Sequence, residues 1–277
     1  MKGKRDVVVP LDGSETSAQA LGAAKAISEI LGGALHIVHV SEMRIPKKDL
    51  PALLKIEDES KYDIRKLSGE IVPAVLEFAL ETEARLIVMS SHGTSFKTQD
   101  ILGSKAKGIA QHTTIPIMII RAGMKKRIVA DWRPAKMLVP LDGMPLPEYV
   151  SDTIFSIAEA LHTDLDLLNI AAAGKKPPRV PGAFPSPAYL DHPYYDWPAW
   201  CSEFVKRILE EREPQVELTL FSKGGDPVRV TLQFALENSD DIVALHWRGL
   251  MSKKHAETVK GILRNAEKPV LLVRHFE

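Results

Sequence analysis

Val7-Val8-Val9-Pro10-Leu11-Asp12-Gly13 begins the first patterned stretch of the chain, and Met137-Leu138-Val139-Pro140-Leu141-Asp142-Gly143 repeats it near the middle. A short apolar run closed by Asp-Gly reads as a buried parallel strand that turns into a helix. Two further blocks return in the same order. Gly69-Glu70-Ile71-Val72 through Phe78-Ala79-Leu80-Glu81 returns as Gly225-Asp226-Pro227-Val228 through Phe234-Ala235-Leu236-Glu237. Pro116-Ile117-Met118-Ile119-Ile120-Arg121 returns as Pro269-Val270-Leu271-Leu272-Val273-Arg274. Three matched blocks in one order mean two copies of one domain. What one copy keeps and the other loses bears on where the site is.

Outward from the first stretch, Ser14 or Thr16 caps a helix with apolar positions Ala20, Leu21, Ala24, Ile27, Ile30 and Leu31, which Gly32-Gly33 stops. Leu35 to Val40, with His36 and His39 set among apolar residues, reads as a second strand. Lys48 to Ser60 reads as a short charged helix and Tyr62 to Leu67 as a third strand. Val72 to Glu83 has helical periodicity through Val75, Leu76, Ala79 and Leu80. Arg85 to Met89 is a fourth strand, and Ser90-Ser91-His92-Gly93 leaves its carboxyl end. Ser104 to His112 and Ile115 to Ile120 complete the copy as helix and strand. Strands alternating with helices imply a doubly wound α/β domain: a parallel sheet with helices on both faces, and ligands at the carboxyl ends of the strands.

The expected organisation is a first domain over 1–121, a linker over 122–135 and a second domain over 136–277. The offset between the copies is 130 at Asp12 and Asp142 and 156 at Phe78 and Phe234, so the second copy carries about 26 extra residues. They fall at about 171–200, a stretch rich in proline and aromatic residues that reads as a loop over its own domain or as a lid.

With 277 residues the chain has room for two cores. Its 36 basic and 36 acidic residues cancel, which argues against nucleic acid or an anionic membrane as main partner. The single cysteine, Cys201, excludes an internal disulfide and a multi-cysteine metal site, and it reads as a buried thiol on a helix. No apolar run is long enough to span a bilayer, and Met1 to Asp6 shows no secretory pattern, so the expected location is the cytoplasm.

From Ser90, two residues precede Gly93 and nine more precede Gly103-Ser104, which opens a helix. Glycine lets backbone approach a phosphate, and free N–H groups at a helix N-terminus bind anions. Gly103-Ser104 also makes an ordinary helix entry. Val-Pro-Leu-Asp-Gly-Ser at residues 9–14, Ser90-Ser91-His92-Gly93 with Gly103-Ser104, and Pro116 to Arg121 together resemble universal stress protein domains. The resemblance covers both copies and implies two tandem doubly wound domains, each with a five-stranded parallel sheet flanked by helices. It implies that Asp12 contacts a nucleotide, that the backbone at Val40 recognises adenine, and that Gly93, Gly103 and Ser104 bind phosphates. The implied ligand is ATP or another adenine nucleotide, with magnesium as companion ion. Ser90 stands where the family has its first glycine, and its side chain is expected to narrow the room near the ribose and phosphates. His92 either touches phosphate or caps the loop. Thr94-Ser95-Phe96 replaces the small residues common in the family at that point.

The second copy keeps Asp142-Gly143, but Met144-Pro145 replaces the serine after the turn. His246 and Gly249 fall at the Ser90 and Gly93 positions, and Ala256-Glu257 at the Gly103-Ser104 positions. A glutamate aimed at a phosphate is electrostatically wrong. This copy reads as a degenerate partner domain. Trp247-Arg248 stacks a base by cation–π contact or packs on its own loop.

No metal site is expected: His36 and His39 lack a carboxylate or cysteine at ligand spacing. Three functions compete. One is a stress-response regulatory module holding adenine nucleotide in the first domain. Another is a weak ATPase, for which exposed His92 and Asp100 are the loop groups able to move a proton. The third is an interaction protein without nucleotide. The two domains are expected to pair through their closing strands; a homodimer stays open.

Overall fold

A computed structural model describes residues 5–43, 45–57, 59–93, 101–124, 127–142, 146–171, 215–249 and 256–275. In chain order the elements are β1 (Val7–Pro10), α1 (Glu15–Leu31), β2 (Leu35–Val40), α2 (Leu50–Leu54), β3 (Asp63–Leu67), α3 (Ile71–Glu81), β4 (Leu86–Ser90), α4 (Ser104–His112) and β5 (Ile117–Ile120). The second repeat follows with β6 (Lys136–Leu141), α5 (Glu148–Leu161), β7 (Asp164–Ala171), β8 (Leu218–Gly224), α6 (Pro227–Glu237), β9 (Ile242–Trp247), α7 (Glu257–Asn265) and β10 (Val270–Arg274). The insertion at 171–200, the Cys201 helix, Thr94-Ser95-Phe96, Asp100 and Gly143-Met144-Pro145 lie outside the described residues, apart from Ala171. Among the described residues no helix is long and apolar enough to cross a membrane.

The chain divides into two compact units, Met1–Arg133 with Trp247–Phe276, and Pro134–His246. In the first, the strands run β3-β2-β1-β4-β5, all parallel, and β10 joins β5 antiparallel with Val270 opposite Ile119. The apolar runs that predict β1 and β4 are buried throughout, from Val7, Val8 and Val9 to Ile87 and Val88, as strands covered on both faces must be. In the second unit β6 lies between β7 and β9, and β8 borders β7, all parallel. Met137, Leu138, Leu165, Ile242 and Phe155 fill its core.

Register sorts the side chains of the first sheet. Val8 pairs with His36 and with Ile87, and Pro10 with Val38, so these residues share one face. His36 meets the Phe78 ring of α3 edge-on at 5.6 Å, so that face carries α3, with α4 packed beside it. Met89 shares the face; Val88, Ser90 and Ile120 point to the opposite one, which α1 covers.

Three expectations change. Lys48–Ser60 is not one helix: Lys55 takes a left-handed φ of 58° and ends α2 after five residues, and one-turn 3₁₀ segments flank it at Lys47–Asp49 and Glu59–Lys61. β4 continues through Ser90, because Ser90 still pairs with Ile120. His36 and His39 are three residues apart on a strand and so face opposite sides. His39 is buried and donates from Nδ1 to the Leu11 carbonyl at 2.8 Å, while His36 sits between Asp63 Oδ2 at 2.9 Å and Asp6 Oδ2 at 3.2 Å.

Candidate functional site

The order β3-β2-β1-β4-β5 reverses direction between β1 and β4, which opens a crevice at their carboxyl ends. A cavity of about 210 Å³ lies there. All seven residues singled out from the sequence line it: Asp12, Val40, Ser90, His92, Gly93, Gly103 and Ser104. They come from the ends of β1, β2 and β4 and from the entry to α4. Val38, Ile71, Val75, Met89 and Ile109 supply an apolar wall from the α3–α4 side.

The Asp12 turn is built by short polar side chains. Ser14 donates from its backbone N–H at 3.0 Å and from its hydroxyl at 2.6 Å to Asp12 Oδ1. The same hydroxyl oxygen accepts from the Ser17 N–H at 3.0 Å and caps α1, so Ser14 rather than Thr16 is the cap. Thr16 instead donates to the Gly93 carbonyl at 3.1 Å, which ties this turn to the loop after β4. A Cβ on Gly93 would collide with Asp12 Oδ2. A larger residue at 93 would therefore displace the Asp12 carboxylate from its place against this loop.

Gly103 differs. A Cβ there would meet its nearest neighbours, His92 Cα and Ser91 O, at 3.6 Å, an ordinary contact, and its φ of −58° suits any residue. A small side chain at 103 would thus fit the fold, while Gly103 itself lines the cavity. Gly103 is the N-cap of α4 and offers no side chain to the first-turn N–H groups.

Ser91, which the sequence reading left without a role, latches this loop. Its backbone N–H donates to Ile120 O at 2.9 Å and its carbonyl accepts from Gly103 N–H at 2.8 Å. Its hydroxyl oxygen accepts from Ala122 N–H at 2.9 Å and lies 3.0 Å from His92 Nδ1. His92 is consequently 7% exposed, not the open loop group expected of a proton carrier. Lys105, in the first turn of α4, also lines the cavity and was missed, because the glycine-serine pattern stops one residue short of it.

Ser90 also departs from expectation. Its backbone reaches the cavity, but the register turns its side chain to the α1 face, away from Met89 and the apolar wall. The hydroxyl is buried without a hydrogen-bond partner among the described residues. The narrowing expected from a serine here is absent, because strand alternation, not side-chain size, decides what reaches the cavity.

At the matching place in the second repeat, Ala256 caps α7 with a left-handed φ of 62°, and Glu257 occupies the first turn. That carboxylate complements the helix dipole from within the chain and repels an incoming anion. Trp247 is buried, 3% exposed, and its carbonyl accepts from His275 N–H at 2.9 Å, which is packing within the protein.

Comparison with known proteins gives the same reading of the repeats. The family model described as "Universal stress protein family" matches residues 4–66, 47–121 and 135–274. A universal stress protein of Mycobacterium tuberculosis is 25% identical over 296 residues, covering 97% of this chain and 96% of its own. The crystal structure of a universal stress protein from Archaeoglobus fulgidus covers 98% of this chain and 97% of its own at 16% identity, with a TM-score of 0.63. A crystal structure of a universal stress protein in complex with cAMP is 26% identical and covers 43% of this chain and 97% of its own, with a TM-score of 0.35. On the matched repeats and the shared fold, this chain belongs to the universal stress protein family.

Proposed function

We propose that the chain is a stress-response regulatory protein that binds one adenine nucleotide, ATP in the first instance, in the cleft between β1 and β4. The observation that carries this reading is convergence. Seven residues drawn from stretches up to 92 positions apart, from Asp12 to Ser104, line one cavity. An apolar wall beside Val40 suits a base, and Gly103-Ser104 at the α4 N-terminus suits phosphates. Asp12 and the Ser14 turn supply polar groups for the ribose or for a magnesium ion carried in with the phosphates. Glu257 disfavours the same ligand in the second repeat, which serves as a partner domain. We read the antiparallel pairing of β5 and β10 as the seam between the two repeats.

Calorimetric titration of the full chain with ATP and magnesium tests this. We expect a stoichiometry near one. Gly103→Glu should abolish binding, since the Cβ fits the fold while the carboxylate meets the phosphates. Two sites per chain, or full binding by the variant, would refute the assignment. AMP and cAMP belong in the same ligand panel.

A further inference from the structure

We propose that Lys105 sets the preference of the cleft for nucleotides with a long phosphate chain, ATP and ADP over AMP; the inference rests on the nucleotide reading above. Lys105 is exposed, lines the cavity with Gly103 and Ser104, and forms no ion pair among the described residues. The cavity carboxylate, Asp12, is held instead by the Ser14 N–H and hydroxyl.

Size places the phosphates near this lysine. At about 210 Å³ the cavity lies below the roughly 300–1,000 Å³ of pockets that enclose a whole small ligand. Its apolar wall takes the base, and a chain of phosphates must run out over the α4 entry. The first phosphate meets the backbone at Gly103-Ser104, and later ones come within reach of a flexible ammonium one residue on.

Lys105 also stands where it does nothing for its own helix. A cation in a first turn opposes the helix dipole. The first turns of α1, α5 and α7 carry Glu15, Glu148 and Glu257 instead. Arg229 shows that a first-turn cation is tolerated elsewhere, at α6, but Lys105 alone of the two lines the cavity.

The test uses the full chain with ATP, ADP and AMP, titrated calorimetrically with magnesium at two salt concentrations. Lys105→Met keeps the alkyl stem and removes the charge. We expect ATP affinity to fall by about fivefold to tenfold, with AMP affinity nearly unchanged and a shallower salt dependence for ATP. Lys105→Arg should retain the ATP preference. Equal weakening of ATP and AMP, or no weakening of either, overturns the Lys105 assignment while leaving the nucleotide site standing. If the unmodified chain binds no adenine nucleotide, the site reading fails and this inference falls with it. Melting curves of the Lys105 variants check that the fold is intact.

Discussion

Met89 and Ser90 are neighbours in the chain, and the sheet sends their side chains opposite ways. Met89 joins the apolar wall of the cleft; Ser90 points under α1, its hydroxyl 6% exposed as a residue and without a partner among the described residues. A buried hydroxyl left unpaired costs about 1–3 kcal/mol, and an apolar group of the same shape removes that cost. Ser90→Ala should therefore stabilise the protein by roughly 1 kcal/mol and leave ATP affinity within about twofold. Denaturant midpoints and calorimetry check the two halves separately. Tighter ATP binding by the variant would mean that Ser90 does crowd the ligand. At this scale the sequence picked out positions that line one cavity, because a spacing of glycines around a helix entry is local information. It could not tell side-chain direction, which depends on which face α3 and α4 cover. Ser91 and Lys105 escaped for a related reason: their roles come from strand β5 and from the cavity, not from a spacing.

The two repeats place a polar cluster at the same point of the sheet, built from different residues. In the first unit His36 on β2 sits between Asp6 and Asp63. In the second, Asp166 on β7 holds the place of His36, and Lys136, the match of Asp6, lies 3.9 Å from its Oδ2. Burial works to raise the Asp63 carboxyl, but hydrogen bonds from Arg65 and His36, together with their charges, hold it below the ordinary value. Burial also raises Asp166, and there the charge of Lys136 and a hydrogen bond with Asp240 do not offset it. A carboxyl raised in the native state contributes stability that is full below its ordinary value near 3.8 and is lost as pH climbs through the native one. Asp166→Asn should thus raise the thermal midpoint at pH 7, and the gain should shrink as pH falls toward 4. Parallel melts from pH 4 to 8 measure it, and a less stable variant at pH 7 would contradict the sign. The strands themselves were legible as apolar runs, because burial on both faces leaves that pattern. The break at Lys55 was not, since nothing in charge or hydropathy there marks a left-handed turn.

At the scale of the molecule, the first unit takes its sixth strand from the far end of the chain. Ile119, 1% exposed, stands opposite Val270 in that pairing. Ile119→Lys places a charge where none can be solvated and should cost about 3 kcal/mol or more. Hydrogen exchange reads the damage locally: the amides of β10 should lose protection first, and their full protection in the variant would sink this account. The matched blocks made the duplication plain in the sequence, whereas the membership of β10 in the first unit came only from the strand pairing. That membership also sets an order of events at the ribosome. About 150 residues separate Ile120 from Val270. At a synthesis rate of roughly 5–20 residues per second, the nascent first repeat waits roughly 8–30 s with the edge of β5 unpaired, an interval in which a chaperone or a second nascent chain competes for it.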